Sequence, residues 1–158
     1  MGAESVTVCF TGNPNCGKTT LFNAYTGAGK KTANWPGVTV ALSEGSLMHR
    51  GRLVHLVDTP GIYSLDPYTM EETVTRQCIR DQKADVIIHV ADALLLERSL
   101  FLTMQLLAEG KPLVLALNMM DIVEDRGMEI DLHRLPEMLG HIPVVPVSAR
   151  KRTGLDVL

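Results

Sequence analysis

No apolar run in the 158-residue sequence approaches the roughly 18 residues that a membrane-spanning helix needs. The opening segment, MGAESVTVCF, has neither the basic start nor the long apolar stretch of a signal peptide. Together these absences predict that the chain on its own is soluble. Positive charge is not in excess either: 15 Lys and Arg stand against 18 Asp and Glu, for a net charge of −3. Without a basic stripe, a nucleic acid or an anionic membrane surface is excluded as the main partner. Cysteine is scarce. Cys9, Cys16 and Cys78 are odd in number and show no C-x-x-C spacing, so unpaired thiols in a reducing compartment are expected. The five histidines are scattered, so no zinc or iron centre is expected within this chain. Internal repeats and low-complexity segments are absent.

What is present is an alternation of short apolar runs and helical stretches. Strands are expected over 6–10, 40–48, 53–57, 86–91, 113–117 and 144–147. Helices are expected over 18–25, 70–82, 94–108 and 132–139. The strands over 40–48 and 53–57 meet at His49-Arg50-Gly51-Arg52, a hairpin turn. The continuous apolar character of 86–91 and 113–117 indicates strands buried on both faces. The pattern predicts an α/β fold: a mostly parallel six-stranded sheet with one antiparallel strand and helices on both faces. Residues 30–39 and 59–69 read as loops. The final residues, 154–158, read as the start of a helix, so a longer parent protein is expected.

Chemistry is concentrated in five segments. Gly12-Asn13-Pro14-Asn15-Cys16-Gly17-Lys18-Thr19 fits the G-x-x-x-x-G-K-[ST] pattern, and it lies between a strand and a helix, where that pattern works. Its glycines let backbone amides curl around phosphates, and the helix start adds a positive dipole end. Lys18 is expected at the β- and γ-phosphates, and the Thr19 hydroxyl on Mg²⁺. Asp58-Thr59-Pro60-Gly61 follows a strand. Asp58 there suits a magnesium ligand acting through water, and Gly61 can turn its amide toward a γ-phosphate.

Asn118-Met119-Met120-Asp121 closes another strand, the place where ligands of open α/β sheets lie. A carboxylate at Asp121 accepts two donors from guanine, whereas adenine would oppose it with an acceptor. The usual pattern is N-K-x-D. Met119 stands in the Lys position and keeps the apolar contact with the purine face without the charge. Ser148-Ala149-Arg150, after the last strand, matches a loop whose backbone amide meets guanine O6. In the 30–39 loop, Thr32 and Thr39 are both candidates to close on the γ-phosphate and Mg²⁺. Thr39 is preferred because it lies just before the strand. Trp35, the single Trp, fits either core packing or a mobile-loop role.

These residues carry a resemblance. The segments from Gly12 through Lys18, Thr19 and Thr20 to Asn23, Asn34-Trp35-Pro36-Gly37-Val38-Thr39-Val40, Asp58-Thr59-Pro60-Gly61-Ile62-Tyr63-Ser64-Leu65 and Asn118-Met119-Met120-Asp121 together resemble the N-terminal G domain of FeoB-type ferrous iron transporters. Met in place of Lys is itself a feature of that pattern. Cys16 departs from it, since Ser is common there. The resemblance implies a P-loop NTPase fold and a cytoplasmic GTP- and GDP-binding domain of a membrane-embedded Fe²⁺ transporter. It implies a following helical domain and a membrane domain as partners, and homo-oligomerisation through the transporter. Gly37, Val38 and Thr39 would join the nucleotide site. It also implies that Asn15 helps hold K⁺ beside the phosphates, with carbonyls near Asn34 and Trp35.

Hydrolysis of GTP is then expected by water attack on the γ-phosphate, with Lys18, Asn15, Thr39 and Gly61 as the residues acting on it. Ile62 stands where some GTPases place a water-orienting Gln, and the 30–39 loop has no arginine. Such an arginine is worth about 10³–10⁵ in rate, so slow turnover is expected. Two other readings stand beside this one: a soluble GTPase of ribosome or tRNA maturation, and a non-hydrolysing nucleotide-gated module.

Overall fold

The computed structural model of the chain describes residues 5–27, 31–34, 40–66, 68–81 and 84–155. Seven strands form one sheet. In chain order they are β1 (Ser5–Gly12), β2 (Lys31–Asn34), β3 (Ala41–His49), β4 (Arg52–Asp58), β5 (Val86–Asp92), β6 (Leu113–Asn118) and β7 (Val144–Pro146). Their order across the sheet is β2-β3-β4-β1-β5-β6-β7. Strand β3 runs antiparallel to both neighbours, and the pairs from β4 through β7 are parallel.

The sheet has one strand more than the sequence led us to expect. Residues 30–39 read as loop, but Lys31–Asn34 pairs with β3, Lys31 opposite Glu44 and Thr32 opposite Ser43. The Thr32 and Ser43 hydroxyls lie 2.9 Å apart. This edge strand is polar and lacks alternation, so its strand state comes from pairing rather than from its own pattern. The turn between β3 and β4 is the expected hairpin. Arg50 (φ 50°) and Gly51 (φ 78°) both take left-handed backbone, as a type I′ turn requires.

Helices cover both faces. They are α1 (Lys18–Thr26), α2 (Met70–Asp81), α3 (Leu96–Leu107, entered through a 3₁₀ turn at Ala93–Leu95), α4 (Met120–Asp125) and α5 (Arg134–Met138). Alternate residues of β1 feed the two layers. Val8 and Phe10 pack with Leu21 and Phe22 of α1, while Cys9 packs with Val74 and Cys78 of α2. Helix α5 is shorter than the expected 132–139. Asp131 ends the preceding turn by accepting from the His133 and Arg134 amides, and Pro136 brings no N–H to an element only five residues long. No helix among the described residues is long and apolar enough to cross a membrane.

The registers decide where the functional residues lie. Phe10 pairs with Asp58, Gly12 with Val90, and Asp92 with Asn118. The carboxyl ends of four parallel strands therefore meet at one edge of the sheet, where α/β folds bind ligands.

His89, in the middle of β5, is fully buried, with Nδ1 2.9 Å from the Thr103 hydroxyl of α3. Burial disfavours the imidazolium and pulls its pKa down to about 3. The unfolded chain takes up a proton near the ordinary value of 6.5, whereas the fold holds His89 neutral to about 3. Stability from this residue is therefore complete above 6.5 and is lost as pH falls toward 3. Between pH 7 and pH 5 the loss is roughly 2 kcal/mol, from about 1.4 kcal/mol per pH unit below 6.5. Urea unfolding at both pH values should show His89→Asn losing about that much less than the parent chain. Equal losses in the two proteins would remove His89 as the cause.

Candidate functional site

The turn from Gly12 to Lys18 joins β1 to α1 and shapes a cavity at this edge of the sheet. Its path needs left-handed backbone at Asn15 (φ 64°) and Gly17 (φ 84°). Gly12 is required for space. A Cβ there would lie 2.5 Å from the Val90 carbonyl oxygen and 2.8 Å from Cys16 Sγ. The cavity of about 340 Å³ is lined by Asn13, Pro14, Asn15, Gly17, Lys18, Thr19, Thr20 and Gly61. All eight are among the residues that the sequence assigned to nucleotide binding, six of them in the Gly12–Thr19 motif. Gly61 closes the wall at contact distance from Pro14, where a Cβ would meet Pro14 Cα at 2.9 Å. The next residue fixes that approach: the Ile62 amide donates to the Gly12 carbonyl at 2.9 Å.

Lys18 is buried at the head of α1. Its ammonium donates to the Asp58 carboxylate and, at 2.5 Å, to the Thr59 carbonyl. The Thr19 hydroxyl donates to the other Asp58 oxygen at 3.0 Å. Thr59 is held in turn, through its amide and its hydroxyl, on the Phe10 carbonyl. One carboxylate, one hydroxyl and one ammonium thus converge at the end of β4 and the start of α1. The oxygens of Thr19 and Asp58 are hard donors of the kind Mg²⁺ takes beside phosphate oxygens, so the residues fit that ion. Among the described residues no three His, Cys, Asp or Glu side chains come together as a metal site of their own.

The second half of the site lies at the ends of β6 and β7. Asn118 is buried and bonds in both directions. Its Nδ2 donates to the Cys16 carbonyl at 2.9 Å, and its Oδ1 accepts from the Ala149 amide at 2.9 Å. Met119 takes left-handed backbone (φ 67°) and caps α4. The Met120 amide donates to the Val147 carbonyl at 3.2 Å, which binds the segment to the end of β7. This short helix was missed in the sequence because six residues cannot display a helical period.

Asp121 sits in the first turn of α4 with its side chain only 6% exposed. Burial acts most strongly on its carboxyl and opposes ionisation. The hydrogen bond from Ser148, the Arg150 charge and backbone amides outweigh it and hold the carboxyl below the usual carboxylate range. Arg150, itself exposed, donates to Asp121 Oδ2 at 3.1 Å. The Ser148 and Ala149 amides of this loop are spent within the protein, on the Thr153 carbonyl and on Asn118.

The structure therefore gathers the described residues of the 12–20, 58–61, 118–121 and 148–150 segments around one edge of the sheet. Trp35, Pro36, Gly37, Val38 and Thr39 lie outside the described residues. Thr32, the other candidate threonine, belongs to β2. Contacts from α3 onto the 61–65 segment escaped the sequence reading. The Leu65 amide donates to Gln105 Oε1 at 2.7 Å, and the Arg98 guanidinium lies 5.1 Å from the centre of the Tyr63 ring. No motif marks such pairs, because they are joined only by folding.

The family pattern of Ferrous iron transport protein B matches residues 6–158. The chain is 48% identical over 151 residues to the Fe(2+) transporter FeoB of Legionella pneumophila (strain Paris), covering 93% of this chain and 20% of that protein. It is 43% identical over 159 residues to the Fe(2+) transporter FeoB of Salmonella typhimurium, covering 98% of this chain and 20% of that protein. The chain thus spans about a fifth of the length of these curated relatives. Among solved structures, the cytosolic domain of the T. maritima FeoB iron transporter in a GDP form superposes with a TM-score of 0.93 at 41% identity, over 98% of this chain and 60% of that one. A GDP-bound mutant of the S. thermophilus FeoB G-domain superposes with a TM-score of 0.90 at 44% identity, over 96% of this chain and 58% of that one.

Proposed function

The chain belongs to the ferrous iron transport protein B family as its N-terminal G domain, and we propose that it binds GTP and GDP with Mg²⁺ and hydrolyses GTP slowly, with stimulation by K⁺. In this reading it regulates Fe²⁺ passage through a parent transporter, to which it is joined on the cytoplasmic side through a helical domain. The observation that carries it is the joint placement of two devices at one sheet edge. The cradle of Gly12 to Thr20 holds Lys18 and Thr19 against Asp58, and Asp121 stands ionised at the end of β6. Asn118 ties the two together.

Each residue has a physical task. Lys18 exchanges its bonds to Asp58 and Thr59 for phosphate oxygens. Thr19 and, through water, Asp58 hold Mg²⁺, with Thr39 as a further ligand. The ion supplies neutralisation of phosphate charge. Asp121 accepts two donors from the guanine edge, while Met119 covers the purine face and the 148–150 loop closes around the base. Gly61 stands at the wall of the phosphate cavity, able to present its amide to a γ-phosphate. Ile62 is buried and its amide is engaged, so it does not orient the attacking water. Asn15, exposed on the cradle, is the residue proposed to hold K⁺ in place of an arginine.

Titration calorimetry with GDP, GTP and ATP in the presence of Mg²⁺ tests the binding. Heat with both guanine nucleotides and none with ATP is expected, and silence with all three removes the reading. Phosphate release should be at least ten-fold faster in KCl than in NaCl, and Asn15→Ala should abolish that difference. Equal rates in the two salts would remove the K⁺ role while leaving nucleotide binding intact.

A further inference from the structure

Helix α3 grips the segment that follows Gly61 at two points on one face. Arg98 and Gln105 are seven residues apart, two helical turns, and so project from the same side of α3. Arg98 places its guanidinium 5.1 Å from the centre of the Tyr63 ring. Gln105 accepts the Leu65 amide at 2.7 Å. Between these polar contacts Ile62 and Leu65 are buried against Leu102 and Leu106 of the same helix. At its near end the segment is pinned to the cradle by the bond from the Ile62 amide to the Gly12 carbonyl. A side chain at Gly61 would meet Pro14, so a glycine is what lets this segment lie against the cradle.

We infer that Gln105 and Arg98 are positioning residues for the terminal phosphate. They hold 62–65 on α3 so that Gly61 stays at the cavity wall, and they thereby set the preference for a triphosphate over a diphosphate. The inference rests on the nucleotide reading above. The physical basis is selective. Gly61 borders the phosphate cavity, whereas no α3 side chain lines it among the described residues; α3 meets the Asn118–Asp121 segment through Leu96 and Leu100, which share an apolar cluster with Met120, and not through Gln105. Loosening the grip removes order from one wall only. A partly buried amide stripped of its acceptor is also unfavourable in the clamped arrangement, so the segment shifts away from it.

The test measures dissociation constants for GDP and for a non-hydrolysable GTP analogue, both with Mg²⁺, on the 158-residue chain. Gln105→Ala should weaken the analogue about ten-fold, the effect of one buried acceptor removed, and leave GDP within two-fold. Gln105→Glu keeps an acceptor for the Leu65 amide and should restore the ratio. Arg98→Ala should shift the ratio the same way by about three-fold, as expected for one cation–π contact at an exposed site. The inference is overturned if Gln105→Ala weakens both ligands equally, leaves the ratio unchanged or tightens the analogue, or if Gln105→Glu behaves like Gln105→Ala. A parent chain that binds neither nucleotide would instead defeat the underlying functional reading.

Discussion

Asp121→Ala should weaken GDP binding by two to four orders of magnitude while changing the stability of the fold little. The loss is large because the carboxylate is charged and directed. It sits in the first turn of α4, kept ionised by Ser148, Arg150 and nearby amides despite its burial. Two charge-assisted hydrogen bonds to the base edge are worth about 1.5–3 kcal/mol each, which together gives roughly 3–6 kcal/mol. The fold survives because Arg150, the cation bonded to Asp121, is exposed and can be rehydrated. Asp121→Asn makes the sharper test. Its amide would place a donor where guanine also has one, yet it suits xanthine, which carries a carbonyl there. Calorimetry with GDP and xanthosine diphosphate should therefore show the preference inverted. GDP binding within three-fold of the parent chain in both variants would mean that Asp121 does not read the base.

Gly17→Ala should destabilise the chain by about 3–8 kcal/mol, a large share of the 5–15 kcal/mol typical of a domain. Gly17 has φ +84°, and a Cβ there would lie 2.2 Å from Asn118 Nδ2. Left-handed backbone costs about 1–2 kcal/mol for an alanine. Asn118 cannot simply swing aside, since it is buried and holds both the Cys16 carbonyl and the Ala149 amide. Displacing it leaves two buried backbone groups unpaired at about 1–3 kcal/mol each. Thermal unfolding should register the change as a fall on the order of 10 °C for a chain of this size. Asn118→Ala removes the same hydrogen bonds by itself, so the double variant should be far less destabilised than the sum of the two single variants. Simple additivity would show that the clash is not the mechanism.

The placement of the Gly12–Thr19 turn and of the Asn118–Asp121 segment was legible in the sequence because their signals are local. Glycines at positions 12 and 17, a Lys and a Thr follow a strand and begin a helix, and Asn118 to Asp121 ends an apolar strand. Strand β2 was not legible. Lys31–Asn34 is polar, and what makes it a strand is its pairing with β3. Helix α4 was hidden by its length, and α5 starts later than its apolar residues suggest because the Asp131 carboxylate takes the Arg134 amide and Pro136 cannot donate to an earlier turn. The bonds from Asn118 to Cys16 and Ala149 span 102 and 31 residues, and the bond from Leu65 to Gln105 spans 40. No short pattern records partners so far apart, although they hold the two ends of the site and its flanking segment in place.

Asn118 also acts as a ruler. One rigid carboxamide joins the phosphate cradle to the base loop, so the span between them is set by a side chain of fixed length rather than by a chain of adjustable contacts. With a nucleotide bound as proposed, the site would gauge the whole molecule lying across it, and neither end could be refitted for a longer or shorter guest without moving the other.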